Sequence, residues 1–476
     1  MKYNRISALL AKEESPRSRE IFSAVMLLAG PAILEQCMLS AVQYVDTAMV
    51  GQLGAIATAA IGVVSSTIIL FNGVFNAAAV GFSVQVAQYL GAGREDAAKR
   101  VTAQGVKFIF FFGICVSSVG VVLSFYLPWW LGAAEDVAQE ASAYFRIIAL
   151  GMPFTLGVNI ISAMIRCSGE TRLPMVVNTM INVINVILNY LLIYPVRQVT
   201  LFGRPLPVWG AGLGVSGAAI ASVSATAVIF LLFLIALFWR KGPIKLSLHD
   251  DYTLRRDCLY TAFRLGMPVA MERAATSFAQ ISIVGIIAGI GTVATAANHL
   301  AITAESLSYS PAHGVAIAAT TLVGQAIGAQ KKELAMKFAK TSTVIGIGIM
   351  TLGGVGLFAF AEQLIGFFTP DIEVVAIGVQ LLRIVAFAEP MFGAAIVTSG
   401  VLRGAGDSRE PFLICLSTMW GVRIVLTLLL SELLGIIGVW LAMAIELVVR
   451  GSIFLLRLNS GRWVDKSLFV RSSEEE

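Results

Sequence analysis

Charge is scarce in this sequence. Of its 476 residues only 13% are Asp, Glu, Lys or Arg, against 57% hydrophobic, where a soluble domain carries about 25% charged residues. That balance excludes an ordinary water-facing globule. Histidine is scarcer still, at three residues. His299 and Glu305 stand six apart and His313 further on, so they do not make the H-E-x-x-H face that holds zinc. The five cysteines (Cys37, Cys115, Cys167, Cys258, Cys415) are scattered without a C-x-x-C pair, which argues against a disulfide framework or a metal site. There is no G-x-S-x-G nucleophile turn. The run Gly461 to Ser467 ends in Lys-Ser but lacks the second glycine of a phosphate loop. These absences point away from an enzyme, a resident cofactor and a primary pump. A net charge of +5 would suggest nucleic acid or another anionic partner in a soluble protein; here the placement of the charges matters more.

What the chain has is long apolar runs. A spanning helix needs about 20 mostly apolar residues. Runs of that kind lie at 21–47, 56–88, 101–127, 138–163, 173–195, 211–239, 259–286, 292–327, 338–361, 374–400, 411–434 and 436–457, broken at Gly, Pro and charge clusters. The expected fold is all-α and integral to the membrane, with about twelve transmembrane helices. The second and eighth runs exceed one span and should extend past the lipid. The start, Met1 to Glu20, is charged and is not a signal peptide, because the apolar run after it is too long and has no small-residue cleavage site. With that start placed inside, alternate connections collect Arg94, Lys99, Arg100, Arg166, Arg172, Arg240, Lys241, Lys245, Arg255, Arg256, Lys331, Lys332, Lys337, Lys340, Arg403 and Arg409. The outer ones keep Arg197 and Arg204 among acids such as Glu135, Asp136, Asp371 and Glu373. Such a bias puts both termini in the cytoplasm.

The chain also repeats itself. Pro31 falls on Pro268, Glu35 on Glu272, Gly54 on Gly291, Gly91 on Gly328, Pro153 on Pro390, Arg166 on Arg403, Gly169 on Gly406 and Pro174 on Pro411, all 237 residues apart. After the longer loop 196–210 the spacing becomes 221, matching Gly214 to Gly435 and Gly217 to Gly438. Each half then holds about six helices. Six is even, so the halves enter from the same side, as two pseudo-symmetric bundles around a central cleft. The expected division is 1–20, a cytoplasmic segment; 21–239, the N-terminal bundle; 240–256, a cytoplasmic linker; 257–458, the C-terminal bundle; and 459–476, a cytoplasmic tail.

Polar positions found in one half only are the functional candidates. Asp46, in Val45-Asp46-Thr47-Ala48-Met49-Val50-Gly51-Gln52-Leu53-Gly54, maps to Ile283. Asn182, Asn185 and Asn189 map to Met419, Val422 and Leu426, and Ser222 to Met443. With Asn178, the asparagines form one stripe of a helix. A carboxylate at that depth in lipid costs at least a few kcal/mol, so it faces a cavity or a partner and has a job. Asp46 with Asn185, Asn189 and Ser222 is therefore the candidate cation-coupling site; interhelical hydrogen bonding is the plainer role for the amides. Glu35, Asn182, Glu272 and Glu389 are secondary candidates. Glu35 and Glu272 match across the repeat, which favours a structural role, and Glu272 has Arg273 beside it as a local charge partner. Glu446 and Arg450 form an i,i+4 pair.

The stretch from Pro31 to Gly54, the run Asn182 to Tyr190 and Leu402-Arg403-Gly404-Ala405-Gly406-Asp407 resemble the MATE (multidrug and toxic compound extrusion) transporters, in the right order over nearly the whole chain. The resemblance implies an N-terminal site around the first-helix Asp, here Asp46, with Asn185, Asn189 and Ser222. Many relatives have Asp where this chain has Asn189. In the sodium-coupled branch the C-terminal lobe carries acids at positions resembling Thr276 and Phe392 here, with Glu272 and Glu389 about one turn away. Their replacement favours protons over sodium. The implied function is exchange of H⁺ or Na⁺ for a small cationic amphipathic compound, by a monomer in the bacterial plasma membrane with lipid around it. The alternative is a flippase of the wider superfamily for lipid-linked or polysaccharide substrates, using Arg146, Arg383 and Arg423 for pyrophosphate.

Overall fold

The computed structural model describes residues 9–10, 16–201, 204–240, 242–247, 253 and 255–466; within these, the side chains of residues 43–44, 46–48, 55, 197–201 and 204–208 lie outside the description. The Asp46 side chain is among them, as are most of the N-terminal segment, the tail beyond 466 and parts of the 240–256 linker.

Six helices build the first half: α1 (Ser18–Gly51), α2 (Ala55–Gly91), α3 (Glu95–Trp130), α4 (Glu135–Cys167), α5 (Arg172–Ile193) and α6 (Gly214–Trp239). A hairpin of β1 (Pro195–Leu201) and β2 (Arg204–Ala211) joins α5 to α6. The second half has α7 (Arg256–Ile290), α8 (Thr292–Gly328), α9 (Lys332–Ala359), a short α10 (Ala361–Phe368), α11 (Ile372–Ala386), α12 (Glu389–Gly404), α13 (Arg409–Thr418), a π-helical turn Met419–Ile424, α14 (Val425–Leu434) and α15 (Ile436–Asn459). Helices suit the composition because lipid offers no partner for a free backbone N–H or C=O.

Among the described residues ten helices are long and apolar enough to cross a membrane. The other two crossings are α8 and the pair α11–α12. The first carries His299, Glu305 and His313 along its length, and the second breaks at Phe387–Ala388, ahead of Pro390 in the first turn of α12. Pro153, its partner in the repeat, sits inside the unbroken α4. Helices α2 and α8 both run to 37 residues, about 55 Å at 1.5 Å per residue, well beyond a hydrocarbon core of about 30 Å.

The repeat reaches the backbone. Left-handed residues pair at the expected spacings: Gly54 with Gly291, Gly169 with Gly406, Gly93 with Gln330, and Gly214 with Gly435. Gln330 is the only non-glycine among the described residues with positive φ, at 58°. It accepts that strained region because the matching Lys331 amide still closes the turn on Ala326 O, at 3.0 Å.

The two halves exchange partners at one end. There, Ile21, Val25 and Leu28 of α1 are buried with Val315, Leu322, Phe338 and Leu402 of the second half. Ala262 of α7 is buried with Phe82, Phe145 and Phe233 of the first. Higher up, Ile283 and Ile287 of α7 rejoin their own half beside Leu381 and Trp440. At this same end α2 and α8 cross with no room for side chains. A Cβ on Gly91 would overlap the Gln325 carbonyl oxygen, and one on Gly328 would overlap that of Gln88. Gln88 Nε2 donates to Gly404 O at 3.1 Å, and Gln325 Nε2 to Cys167 O at 2.9 Å. Each of these bonds is the image of the other at the 237-residue spacing. They close the basic face, where the connections after α2, α4, α8 and α12 lie. Ser40 Oγ and Ser310 Oγ, 2.7 Å apart, tie α1 to α8 further up. From Glu35 upward α1 also lies against α5.

Candidate functional site

The buried face of α5 is made of amides: Asn178, Asn182, Asn185 and Asn189 are all buried, while Val176, Met180, Val183 and Ile187 on the other side are exposed. A helix that points amides inward and aliphatics outward is built for a polar interior in lipid. Asn185 Nδ2 donates to Ser222 Oγ of α6 at 3.2 Å, and Asn189 Nδ2 to Asn185 Oδ1 at 3.1 Å. Three of the four sequence-predicted coupling residues therefore meet. Among the described residues, Asn182 Nδ2 is buried with no hydrogen-bond partner.

The fourth, Asp46, is placed through the backbone. Asn178 Nδ2 donates to Glu35 Oε1 at 2.6 Å across a separation of 143 residues, and Tyr194 Oη donates to Met49 O at 2.9 Å across 145. These contacts pin α1 alongside α5 below and above position 46. The register between them puts the turn of α1 that carries Asp46 level with Asn189, one turn above Asn185.

Glu35 belongs to a different structure. It is 2% exposed, and its Oε1 accepts from Arg166 Nη1 at 2.8 Å. The same Nη1 lies 2.5 Å from Ser162 Oγ. Glu35 Oε2 is buried without a partner among the described residues. In the second half Glu272 accepts from Arg403 Nη2 with both oxygens, each at 2.8 Å. Both ion pairs span 131 residues, so the repeat has preserved a paired contact and not only two residue types. Arg273 is not the partner of Glu272. Adjacent residues on a helix do not face each other, and the Arg273 stem lies against Gly73 of α2.

Glu389, at the start of α12, is fully buried. Its Oε2 accepts from Ser308 Oγ at 2.8 Å, and its Oε1 is buried and unpartnered among the described residues. Thr276 donates to the Glu272 carbonyl at 2.7 Å, and Phe392 packs edge-on against Tyr309. Glu446 is held by Arg450 at 2.6 Å, as its i,i+4 spacing implies. Among the described residues no group of three or more His, Cys, Asp or Glu is arranged to hold a metal ion.

One mapping drawn from the sequence needs correction. A constant spacing of 237 sets Asn185 and Asn189 against Val422 and Leu426. The π-helical turn Met419–Ile424 adds one residue to the helix path, while α5 has no such turn. Beyond Met419 the structural counterparts are therefore Arg423 and Thr427, both polar. Contacts agree: Asn185 meets Ser222, and Arg423 meets Met443, the counterpart of Ser222. A one-residue insertion inside an apolar run leaves no mark that pattern reading can detect. In the sequence Arg423 stands out only as a lone charge and Thr427 not at all.

The sequence model of the MatE family matches residues 31–191 and 268–429, two stretches of which the second is longer by one residue. Among curated proteins, the chain is 27% identical to the probable multidrug resistance protein NorM of Thermotoga maritima, covering all of both chains. It is 25% identical to the multidrug resistance protein MdtK of Yersinia pseudotuberculosis, over 93% of this chain and 95% of the other. Among solved structures it superposes on a crystal structure of MATE in the straight conformation with TM-score 0.85 and 19% identity, covering 93% of this chain and 97% of that one. A MOP-superfamily transporter from Pyrococcus furiosus gives TM-score 0.84 and 19% identity, covering 94% of this chain and all of that one. A family match to both halves in order, on a repeat that extends to ion pairs and left-handed turns, places the chain in the MatE family of membrane transporters.

Proposed function

We propose that this chain is a secondary antiporter that exports small cationic amphipathic compounds in exchange for H⁺ or Na⁺, with the coupling ion held at Asp46 beside Asn185, Asn189 and Ser222. The observation that carries the reading is the amide face of α5. It is a polar lining built into one bundle, tied to Ser222 and level with the Asp46 turn. A polar group in lipid marks a pathway more often than a scaffold. Relatives named as multidrug resistance proteins support the substrate class. Ion and substrate compete for this site, so each weakens the other's binding by the same factor. Two bundles, 21–239 and 257–458, act as the moving bodies. Both termini and the 240–256 linker face the cytoplasm of a bacterial cell, following the Lys and Arg bias. Protons are favoured over sodium because Thr276 and Phe392 bring no acid to the second bundle.

The flippase alternative needs arginines that converge on a pyrophosphate. Arg146 lies 4.8 Å over the Phe125 ring in the first bundle, and Arg383 lies 5.5 Å over Phe358 in the second. Arg423 sits between two methionines. Each arginine is engaged by a different neighbour, which supports the antiporter reading over this alternative.

The test is uptake of a cationic dye into proteoliposomes under an imposed pH gradient or an imposed Na⁺ gradient, each alone. Dye should accumulate against its own gradient with one of the two, and the matching ionophore should abolish this. Accumulation that ignores both gradients would refute antiport.

A further inference from the structure

The second bundle has put a fixed cation where the first keeps amides. Ser222 follows Asn185 by 37 residues, and Met443 follows Arg423 by 20. The shorter connection between α14 and α15 accounts for 16 of the 17-residue difference, from the change of spacing between 237 and 221. The π-helical turn accounts for the last one. π-Turns are rare and concentrate at functional positions; this one rotates Arg423 onto the face that Asn185 occupies in α5.

The Arg423 guanidinium finds no carboxylate within ion-pair distance among the described residues. Nη2 lies 3.0 Å from Met443 Sδ, Nη1 lies 4.0 Å from Met419 Sδ, and Nε is buried without a partner. One turn above it, Thr427 takes the place of Asn189, fully buried, its Oγ1 also unpartnered. The charged groups that act on Arg423 are, strongest first, Glu446, Arg450 and Glu305. Glu446 is held by Arg450 through Oε1, its Oε2 being buried and unpartnered among the described residues. That leaves Glu305, which is 3% exposed and makes no hydrogen bond to a described residue. A buried carboxylate without a partner is neutralised by a nearby charge or by a proton; Arg423 is the cation that acts on Glu305, and Glu389 is the other buried carboxylate beside it. The counterpart of Asp46 is Ile283, which is apolar and buried.

We propose that Arg423 is a tethered cation that replaces the exchangeable ion in the second bundle, neutralising Glu305 permanently, so that the coupling ion binds in the first bundle alone. The inference rests on the first-bundle site proposed above and specifies ion number: one coupling site per chain, not two.

The test uses purified full-length protein with Asp46→Asn, so that the first site is silent, and measures binding of radioactive Na⁺ and proton uptake. Asp46→Asn alone should bind neither, and adding Arg423→Lys, which keeps the charge, should change nothing. Adding Arg423→Gln should create one saturable site per chain for which Na⁺ and H⁺ compete, and Glu305→Gln should remove it again. A folded Asp46→Asn/Arg423→Gln protein that gains no site would overturn the proposal. So would cation binding by Asp46→Asn alone that disappears with Glu305→Gln, a result that needs no Arg423 variant to fold. Binding by Asp46→Asn alone that survives Glu305→Gln but is lost with Glu389→Gln would likewise overturn the proposal, and binding that survives both would refute Asp46 as the first-bundle ligand.

Discussion

Asp46→Asn should reduce gradient-driven dye transport to the level of empty liposomes while the protein still folds and still binds dye. The exchange removes a charge and keeps shape, so packing between α1 and α5 should survive. It deletes the one carboxylate expected among the amides of α5. A group whose surroundings alternate between wet and dry holds its ion differently in the two states, and an amide has no such ion to exchange. Glu35→Gln should behave in the opposite way. Glu35 is closed into a buried pair with Arg166 and is also bonded to Asn178. Breaking a buried pair leaves an uncompensated charge, at a cost of up to about 3 kcal/mol here. The variant should melt earlier, but the transport that remains should keep the ion dependence of the wild type. Dye flux normalised to folded protein, alongside thermal unfolding in detergent, separates the two. Wild-type flux with unchanged ion dependence in Asp46→Asn would transfer the coupling role to Glu389 or Glu35.

Gly91→Val and Gly328→Val should each destabilise the protein by at least about 1–3 kcal/mol, as expected for overpacking in a tight interface. At both sites the obstruction is a backbone carbonyl of the opposing helix, which cannot rotate away as a side chain would. Relief comes only by separating α2 from α8, and that stretches the Gln88–Gly404 and Gln325–Cys167 hydrogen bonds together. The effects should be similar, because the two sites are images of each other. Gly30→Ala is the control: nothing lies within 4 Å of its Cβ position, and Ala favours a helix interior by up to about 1 kcal/mol. Unfolding temperatures in detergent check this, and wild-type melting of both valine variants would show that the crossing is looser than described.

Much of this architecture is legible in the sequence, because membrane helices announce themselves through unbroken apolar length and a repeat supplies an internal comparison. The 237-residue spacing gives the Gly54–Gly291 and Gly169–Gly406 turns and the paired Glu35 and Glu272 directly. It does not give their partners. Arg166 and Arg403 lie 131 residues away on another helix, and only packing brings them in, so the neighbouring Arg273 looked like the better candidate for Glu272. The break at Phe387–Ala388 is hidden for a related reason: proline is tolerated within α4 at the matching position, so residue type alone cannot say which copy breaks. The amide stripe of α5 is readable because it follows helical spacing. Its counterpart is not, since one extra residue in a π-turn shifts Arg423 and Thr427 onto a face that a strict α-helical register assigns to Val422 and Leu426.

Competition between ion and substrate at one site in the first bundle is the claim on which this account stands, and proton release on substrate binding tests it most directly. Purified protein in weakly buffered detergent solution, at a pH where the site is loaded, is mixed with a cationic dye while a pH indicator is followed. A bound Na⁺ is counted in parallel by tracer. The account predicts that wild-type protein gives up close to one monovalent cation per dye bound, that Asp46→Asn gives up none, and that Glu35→Gln matches the wild type. Saturating dye binding by the wild-type protein with no ion released would contradict it.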